Sequence, residues 1–150
     1  MDIAAHLEKF RRFESARQRL DPIDDFVLWY WAISSAGAAL MNAALHRLGT
    51  LDENRHFATQ IPDVYAVADG DTTWHYEIGT RCDLIHIGIP ALPSVPARVA
   101  PAYRAMEAIE QWRNPCVRGE HPVTAQLVSD ILENYAIVLQ VAELFPEDRR

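Results

Sequence analysis

The stretch that decides the fold is FVLWYWAISSAGAALMNAAL, residues 26–45, in which no residue is charged. Its twenty residues are just long enough to span a bilayer as a helix. However, Ser34, Ser35, Gly37 and Asn42 interrupt it, and nothing else in the chain resembles membrane topology. A helix that is apolar on all sides is also typical of the centre of a soluble bundle. We therefore predict a central helix and no membrane partner.

The aromatic residues of this stretch set a further condition. Trp29, Tyr30 and Trp31 are consecutive, so on a helix they point about 100° apart and one flat interface cannot bury all three. Either the helix is central, or one side of it meets a second subunit. The excess apolar surface leads us to expect a homodimer. Small residues at three- and four-residue steps predict a close helix–helix contact; they are Ala32, Ser35, Ala36, Ala39 and Ala43.

Helical periodicity continues on both sides of this stretch. The pattern predicts helices over residues 2–20, 22–48, 101–113 and from Pro122 to Phe145, with Gly49 suited to the C-terminal cap of the second. Short links at 20–22 and 114–121 suggest two helical hairpins. The prediction is a mainly α, single domain over residues 1–150, built as an antiparallel four-helix bundle.

An irregular excursion over about residues 50–100 separates the two helical hairpins. Residues 64–78 alternate and turn at Asp69-Gly70, which predicts a β-hairpin. Residues 82–89 are either a short strand or a buried turn. Four prolines within residues 90–101 predict extended chain draped over the helices. Such long excursions often shape a binding site.

Composition excludes several classes of protein. With 150 residues, 49% of them hydrophobic, the chain fits one soluble domain. A net charge of −7 disfavours non-specific binding to nucleic acid.

The two cysteines form no C-x-x-C pair, which excludes a disulfide framework and indicates a reduced, cytoplasmic setting. Phosphate-binding glycine loops, a nucleophile elbow and H-E-x-x-H are absent, and we expect no cofactor.

The break QWRNPCVRGEHPVTA, residues 111–125, concentrates reactive side chains. Arg113 and Arg118 can each fork onto a phosphate or carboxylate. His121 titrates near neutrality, and a cysteine at a helix start, Cys116, can have a lowered pKa. A binding site here would use Arg118, Cys116 and Glu120. The alternative is a turn in which Arg113, Glu120 and His121 cap the helices and Cys116 plugs the core.

The arginine-asparagine pair Arg113-Asn114, followed by His121 before the last helix, resembles the motif of HEPN-type helical domains. The resemblance covers the last fifty residues or so. It implies a ribonuclease or nucleotide-binding toxin component with a composite site across a dimer. His121 would then act as general base on a ribose hydroxyl and Arg113 would stabilise phosphate charge. RNA is an expected partner only under this resemblance.

A second cluster lies in WHYEIGTRCDLIH, residues 74–86. His75 and Glu77 share one face of a strand, and Cys82 and His86 follow; all four are permissible ligands for a divalent metal ion. The alternative is that they are ordinary packed or half-exposed side chains. We interpret His46 and His56, which flank the end of the second helix, as surface polar residues.

Three functions follow in order. The first is a non-enzymatic binding or protein-interaction module for an unidentified ligand, in which the excursion and the 113–121 turn form the pocket wall. The second is the HEPN-like ribonuclease or nucleotide-binding function. The third is a metal-dependent enzyme that uses His75, Glu77 and His86. Whether the protein is an enzyme stays open at this point.

Overall fold

The structure is a computed structural model that describes residues 1–51, 56–59, 61, 64–70, 72–78, 83–84, 87 and 94–146. It is mainly helical, as predicted. The described elements, in chain order, are α1 (Ile3–Arg17), α2 (Phe26–Arg47), β1 (His56–Ala58), β2 (Val64–Ala68), β3 (Trp74–Ile78), α3 (Ala100–Glu110), α4 (Arg113–Val117), α5 (Ala125–Leu139) and a 3-10 helix (Gln140–Leu144).

The first two helices are shorter than their sequence patterns. Asp2 caps α1 by accepting a hydrogen bond from the backbone N–H of Ala5 at 2.7 Å. The prediction that α2 begins at Pro22 is wrong, because the carboxylate of Asp21 accepts the backbone N–H groups of Ile23 and Asp24 and forms a turn. Helix α2 therefore begins at Phe26, and Gly49, with φ of 69°, follows its end as predicted.

Helix α2 is the centre of the hydrophobic core. It contacts α1, α3 and α5, and fully buried residues lie on opposite sides of it, such as Ala36 and Leu45. Trp29 and Tyr30 are buried, whereas Trp31 remains 38% exposed. The prediction of a central helix is confirmed, and burial of each large side chain along it stabilises the fold by about 1.5–3 kcal/mol.

A close contact between α2 and α3 occurs at Gly37, which is not among the small residues that the sequence pattern singled out. A Cβ atom placed on Gly37 would lie 2.3 Å from Sδ of Met106 on α3, well inside the contact distance. Met106 itself is fully buried. The absence of a side chain at Gly37 thus sets how closely α3 approaches α2.

The excursion contains a three-stranded antiparallel sheet in the order β1-β2-β3. The predicted hairpin is confirmed: β2 pairs with β3, with Ala66 opposite Tyr76, and Gly70 adopts φ of 108° in the turn. Strand β1 was not predicted. Of residues 82–89, Asp83, Leu84 and Ile87 are described and all three are buried.

The break between the last two predicted helices contains a short helix. Helix α3 ends at Glu110, α4 follows, and Gly119, with φ of 76°, ends this segment. The prediction that the last helix begins at Pro122 is wrong. Thr124 is the N-cap of α5, since its hydroxyl accepts the backbone N–H of Leu127 at 3.1 Å.

Helix α2 also bears on the question of a membrane span. Among the described residues, no helix combines the length and the apolarity that crossing a bilayer requires.

Candidate metal centre

Three buried polar side chains converge where α1, α2 and the excursion meet. They are His6 on α1, His46 in the last turn of α2, and Asp83, with 2%, 7% and 2% of their surfaces exposed. Nε2 of His46 lies 2.5 Å from Oδ1 of Asp83, and Nε2 of His6 lies 3.1 Å from the same oxygen. The two imidazole rings stack with centroids 5.3 Å apart.

A buried amide holds the carboxylate in this position. Asn42 lies one turn before His46 on the same face of α2. Its Nδ2 donates to the carbonyl of Leu84 and its Oδ1 accepts the N–H of Leu84, both at 2.7 Å. The residue next to Asp83 is thereby fixed to the helix that supplies His46.

The Asp83 carboxyl is ionised in this setting. Burial acts to raise its pKa, but the hydrogen bond from His46, the imidazole of His6 close by and the amino group of Met1 outweigh burial and hold the pKa well below its usual range. The amino group of Met1 contacts Oδ2, the second oxygen of the carboxylate. An anionic oxygen therefore faces the two imidazoles in a buried site.

The hydrogen-bonding capacity of the imidazoles is largely unused. Among the described residues, Nδ1 of His6 and Nδ1 of His46 are buried and have no hydrogen-bond partner, and Nε2 of His6 lies close to Asp83 without hydrogen-bond geometry. A buried polar atom without a partner costs about 1–3 kcal/mol. A metal ion held by Asp83 would bind the two Nε2 atoms, which lie nearest its carboxylate, because Nδ1 lies across each ring from Nε2.

The cluster matches the donor set of a divalent metal ion. One ligand atom from each of His6, His46 and Asp83 can be chosen so that all lie within 4.8 Å of one another. Ligands on a tetrahedral ion with bonds of about 2.0 Å lie roughly 3.3 Å apart, which is close to the 3.1 Å between Nε2 of His6 and Oδ1 of Asp83. Two histidines and one carboxylate leave coordination positions open.

A cavity of about 180 Å³ adjoins the cluster. Two of the three candidate ligands, His6 and Asp83, line it directly. The other lining residues combine polar and apolar side chains: Met1, Lys9, Trp31, Ser34, Ser35, Ala38, Leu84 and Glu110. Open positions on a bound ion would face this space, which we call the metal cavity.

The predicted arginine site has a cavity of its own, of about 270 Å³. It is lined by Trp31, Arg113, Asn114, Val117 and Arg118, and we call it the arginine pocket. Of the residues predicted for binding here, Arg118 and Glu120 are exposed. Cys116 is buried, and burial raises the pKa of its thiol, so the expectation of a lowered pKa is wrong.

His121 lies beyond Gly119 and packs edge-on against Trp112, with ring centroids 5.0 Å apart. Its Nδ1 also lies 2.9 Å from the carbonyl oxygen of Pro122. Arg113 belongs to α4, and its Nε lies 3.9 Å from a carboxylate oxygen of Glu110. Seven residues separate Arg113 from His121, and they do not share a helix. The HEPN-like hypothesis stays a prediction.

Two of the four predicted metal ligands in and after the hairpin, His75 and Glu77, belong to the described residues. Nε2 of His75 and Oε1 of Glu77 are 2.9 Å apart on one face of β3, as expected from their spacing, with about half of each side chain exposed. Cys82 and His86 lie outside the described residues, so this metal site also stays a prediction.

Sequence reasoning missed the buried cluster. The interpretation of His46 as a surface residue is wrong, because in the fold it is buried against the carboxylate of Asp83. The two residues are 37 positions apart in the sequence. No short motif joins three residues from two helices and an excursion. The one available signal was local: Asn42 and His46 are polar residues one turn apart on an otherwise apolar helix.

Comparisons with protein-family models, with curated proteins and with solved structures find no match for this chain.

Proposed function

We propose that this protein is a metal-binding helical module in which His6, His46 and Asp83 hold one divalent transition-metal ion. The observation that supports it is the convergence of two imidazoles with unpaired nitrogens on a buried, ionised carboxylate. This gives a definite ligand to the non-enzymatic binding module that the sequence favours.

The chemistry of the donors supports a transition metal. Imidazole suits zinc, iron, copper and nickel, whereas sites for calcium and magnesium are built from oxygen ligands alone. A carboxylate with two neutral imidazoles leaves a bound divalent ion with a net charge of about +1, which favours an anionic or polar ligand at an open position. The metal cavity supplies the space for that ligand.

Elemental analysis tests the proposal. Protein purified without a polyhistidine tag should contain about one transition-metal ion per chain, and metal-free protein should bind Co²⁺ with the visible absorption of a site with nitrogen and oxygen ligands. Asp83→Asn and His46→Gln should lose this binding.

Matched controls are His75→Gln and His121→Gln, which remove exposed or partly exposed histidines and should leave the metal content unchanged. Circular dichroism identifies any variant that fails to fold. If the wild-type protein binds no ion, or Asp83→Asn binds as much as wild type, the cluster is only a polar contact that docks the excursion.

The proposal includes the assembly and setting expected from the sequence. Four apolar residues at the start of α2 and just before it are exposed by 38–63%: Ile23, Val27, Leu28 and Trp31. Such a stripe is suited to pairing with the same stripe of a second copy. We also propose that α1, α2, α3 and α5 form an antiparallel four-helix bundle and that the protein works in the cytoplasm.

A further inference from the structure

The metal cavity and the arginine pocket share one lining residue, Trp31. A second link joins them, because Glu110 lines the metal cavity and its carboxylate lies 3.9 Å from Nε of Arg113 in the arginine pocket. Small-molecule sites typically occupy about 300–1,000 Å³, which the two spaces together reach.

The arginine pocket has the chemistry of an oxyanion site. Its two guanidinium groups come from α4 and the turn after it: Arg113 is 13% exposed in its side chain, and Arg118 is exposed. Within the described part of the chain, Arg118 forms no ion pair. Asn114 adds an amide donor, and the indole of Trp31 adds a flat apolar wall. Guanidinium forks match the paired oxygens of phosphate and carboxylate groups.

The charges divide the combined space into two parts. The Glu110 carboxylate lines the metal cavity, whereas the described residues that line the arginine pocket include no carboxylate. The chain as a whole carries a net charge of −7, so two adjacent arginines beside a cavity are a local exception.

We infer that the ligand of the metal centre is a small molecule with a phosphate or carboxylate group, and that this group binds in the arginine pocket while another part of the molecule reaches the ion. The inference rests on the proposed metal site. Arg113, Asn114 and Arg118 provide the donors, and Trp31 provides the surface along which the molecule passes between the two spaces.

Calorimetric titration of metal-loaded protein with inorganic phosphate and with acetate tests this inference. Wild type should bind at least one of the two anions saturably, and Arg118→Gln should weaken that binding about tenfold, the loss expected for one charge-assisted contact. Arg113→Gln should weaken it at least as much. The control Arg104→Gln removes an exposed arginine of α3 and should change the affinity less than twofold. Stronger binding of phosphate indicates a phosphate ester as ligand, and stronger binding of acetate indicates a carboxylate.

Asp83→Asn separates this inference from the proposed function. If Asp83→Asn abolishes anion binding and Arg118→Gln does not affect it, the anion binds on the ion itself; the arginine pocket is then wrong and the metal site stands. If a metal-loaded protein binds neither anion saturably, the arginine pocket is likewise wrong and the metal site stands. If wild type holds no metal but binds the anion in a manner that depends on Arg118, the proposed function fails and the pocket stands. Because Arg118 is exposed, its variant decides the outcome even if Arg113→Gln does not fold.

Discussion

Asn42 and Leu84 are joined by two hydrogen bonds of 2.7 Å, in which the side-chain amide of one satisfies both backbone groups of the other. The two hydrogen bonds connect α2 to the excursion, much as a pair of backbone hydrogen bonds connects two β-strands. Nδ2 of Asn42 also donates to the carbonyl of Ala38 at 3.0 Å, which fixes the orientation of the amide. The position of Asp83, one residue away, follows from this contact.

Replacing Asn42 by alanine should damage both stability and metal binding. The buried N–H and C=O of Leu84 would lose their partners, at a cost of about 1–3 kcal/mol each. Urea unfolding should show a free energy of unfolding lower by roughly 2–4 kcal/mol. The Co²⁺ affinity of the folded fraction should also fall, because Asp83 is no longer held beside His46.

Asn134→Ala is the matched control for Asn42→Ala. Asn134 makes the same bond to the carbonyl four residues earlier, at 2.9 Å to Asp130, but on the exposed side of α5. It should cost less than about 1 kcal/mol and leave Co²⁺ affinity unchanged. Equal losses in the two variants would mean that Asn42 acts only within its helix.

The contact between α1 and α5 should make stability depend on pH through Glu14. Its carboxylate accepts the hydroxyl of Tyr135 at 2.7 Å and the Nε of Arg17 at 2.9 Å. Burial acts to raise the pKa of Glu14, but these hydrogen bonds outweigh burial and lower the pKa below its ordinary value of 4.5. The stabilisation is therefore complete above pH 4.5 and is lost as the pH falls, because the unfolded chain takes up the proton first.

Glu14→Gln should reduce this loss of stability at acid pH. The free energy of unfolding of the variant, measured between about pH 3 and pH 7, should fall less steeply below the ordinary carboxyl pKa than that of wild type. Glu8→Gln is the control, because the Glu8 carboxylate contacts Arg12 on the exposed face of α1 with 60% of its side chain in solvent. If the free energy of unfolding of Glu14→Gln falls as steeply with decreasing pH as that of wild type, this contact is not the source of the pH dependence.

Gly37→Ala should destabilise the protein although alanine favours helices. The gain in helix propensity is about 1 kcal/mol, whereas the added methyl group would overlap Met106 and overpacking costs about 1–3 kcal/mol. The net change should be a loss, measured by chemical unfolding. In a Met106→Ala background, which removes the overlapping atoms, the same substitution should be neutral or stabilising. A Gly37→Ala protein more stable than wild type would show that Met106 moves aside without cost.

Leu28→Glu should convert the proposed dimer into a monomer. Leu28 is 63% exposed within the apolar stripe of α2, and a charge there would be buried unpaired in a symmetric interface. Light scattering after size exclusion should give twice the chain mass for wild type and one chain mass for the variant. Leu132→Glu, at a position 38% exposed on α5, should remain dimeric. Wild-type protein that elutes as a monomer at all concentrations would end the dimer proposal.

The sequence by itself determined which segments are helical and which helix is central. Residues 26–45 carry no charge, so only burial on several sides accommodates them, and Gly49 and Gly70 marked a helix end and a hairpin turn because each needs a positive φ. These are local properties: periodicity, apolarity and backbone conformation act over a few neighbouring residues. The helix starts were misplaced where a side chain competed for backbone N–H groups, as Asp21 does before α2.

Only the tertiary structure decided where the chemistry lies. His6, His46 and Asp83 are ordinary residues in sequence. They become a candidate centre because chain packing brings them together and buries them, with imidazole nitrogens that have no hydrogen-bond partner in the described part of the chain. Trp31 likewise lines two cavities because α2 packs beside α1 and α4 in the fold. Contacts between residues tens of positions apart depend on the whole set of packed helices, and a pattern read along a single segment does not contain them.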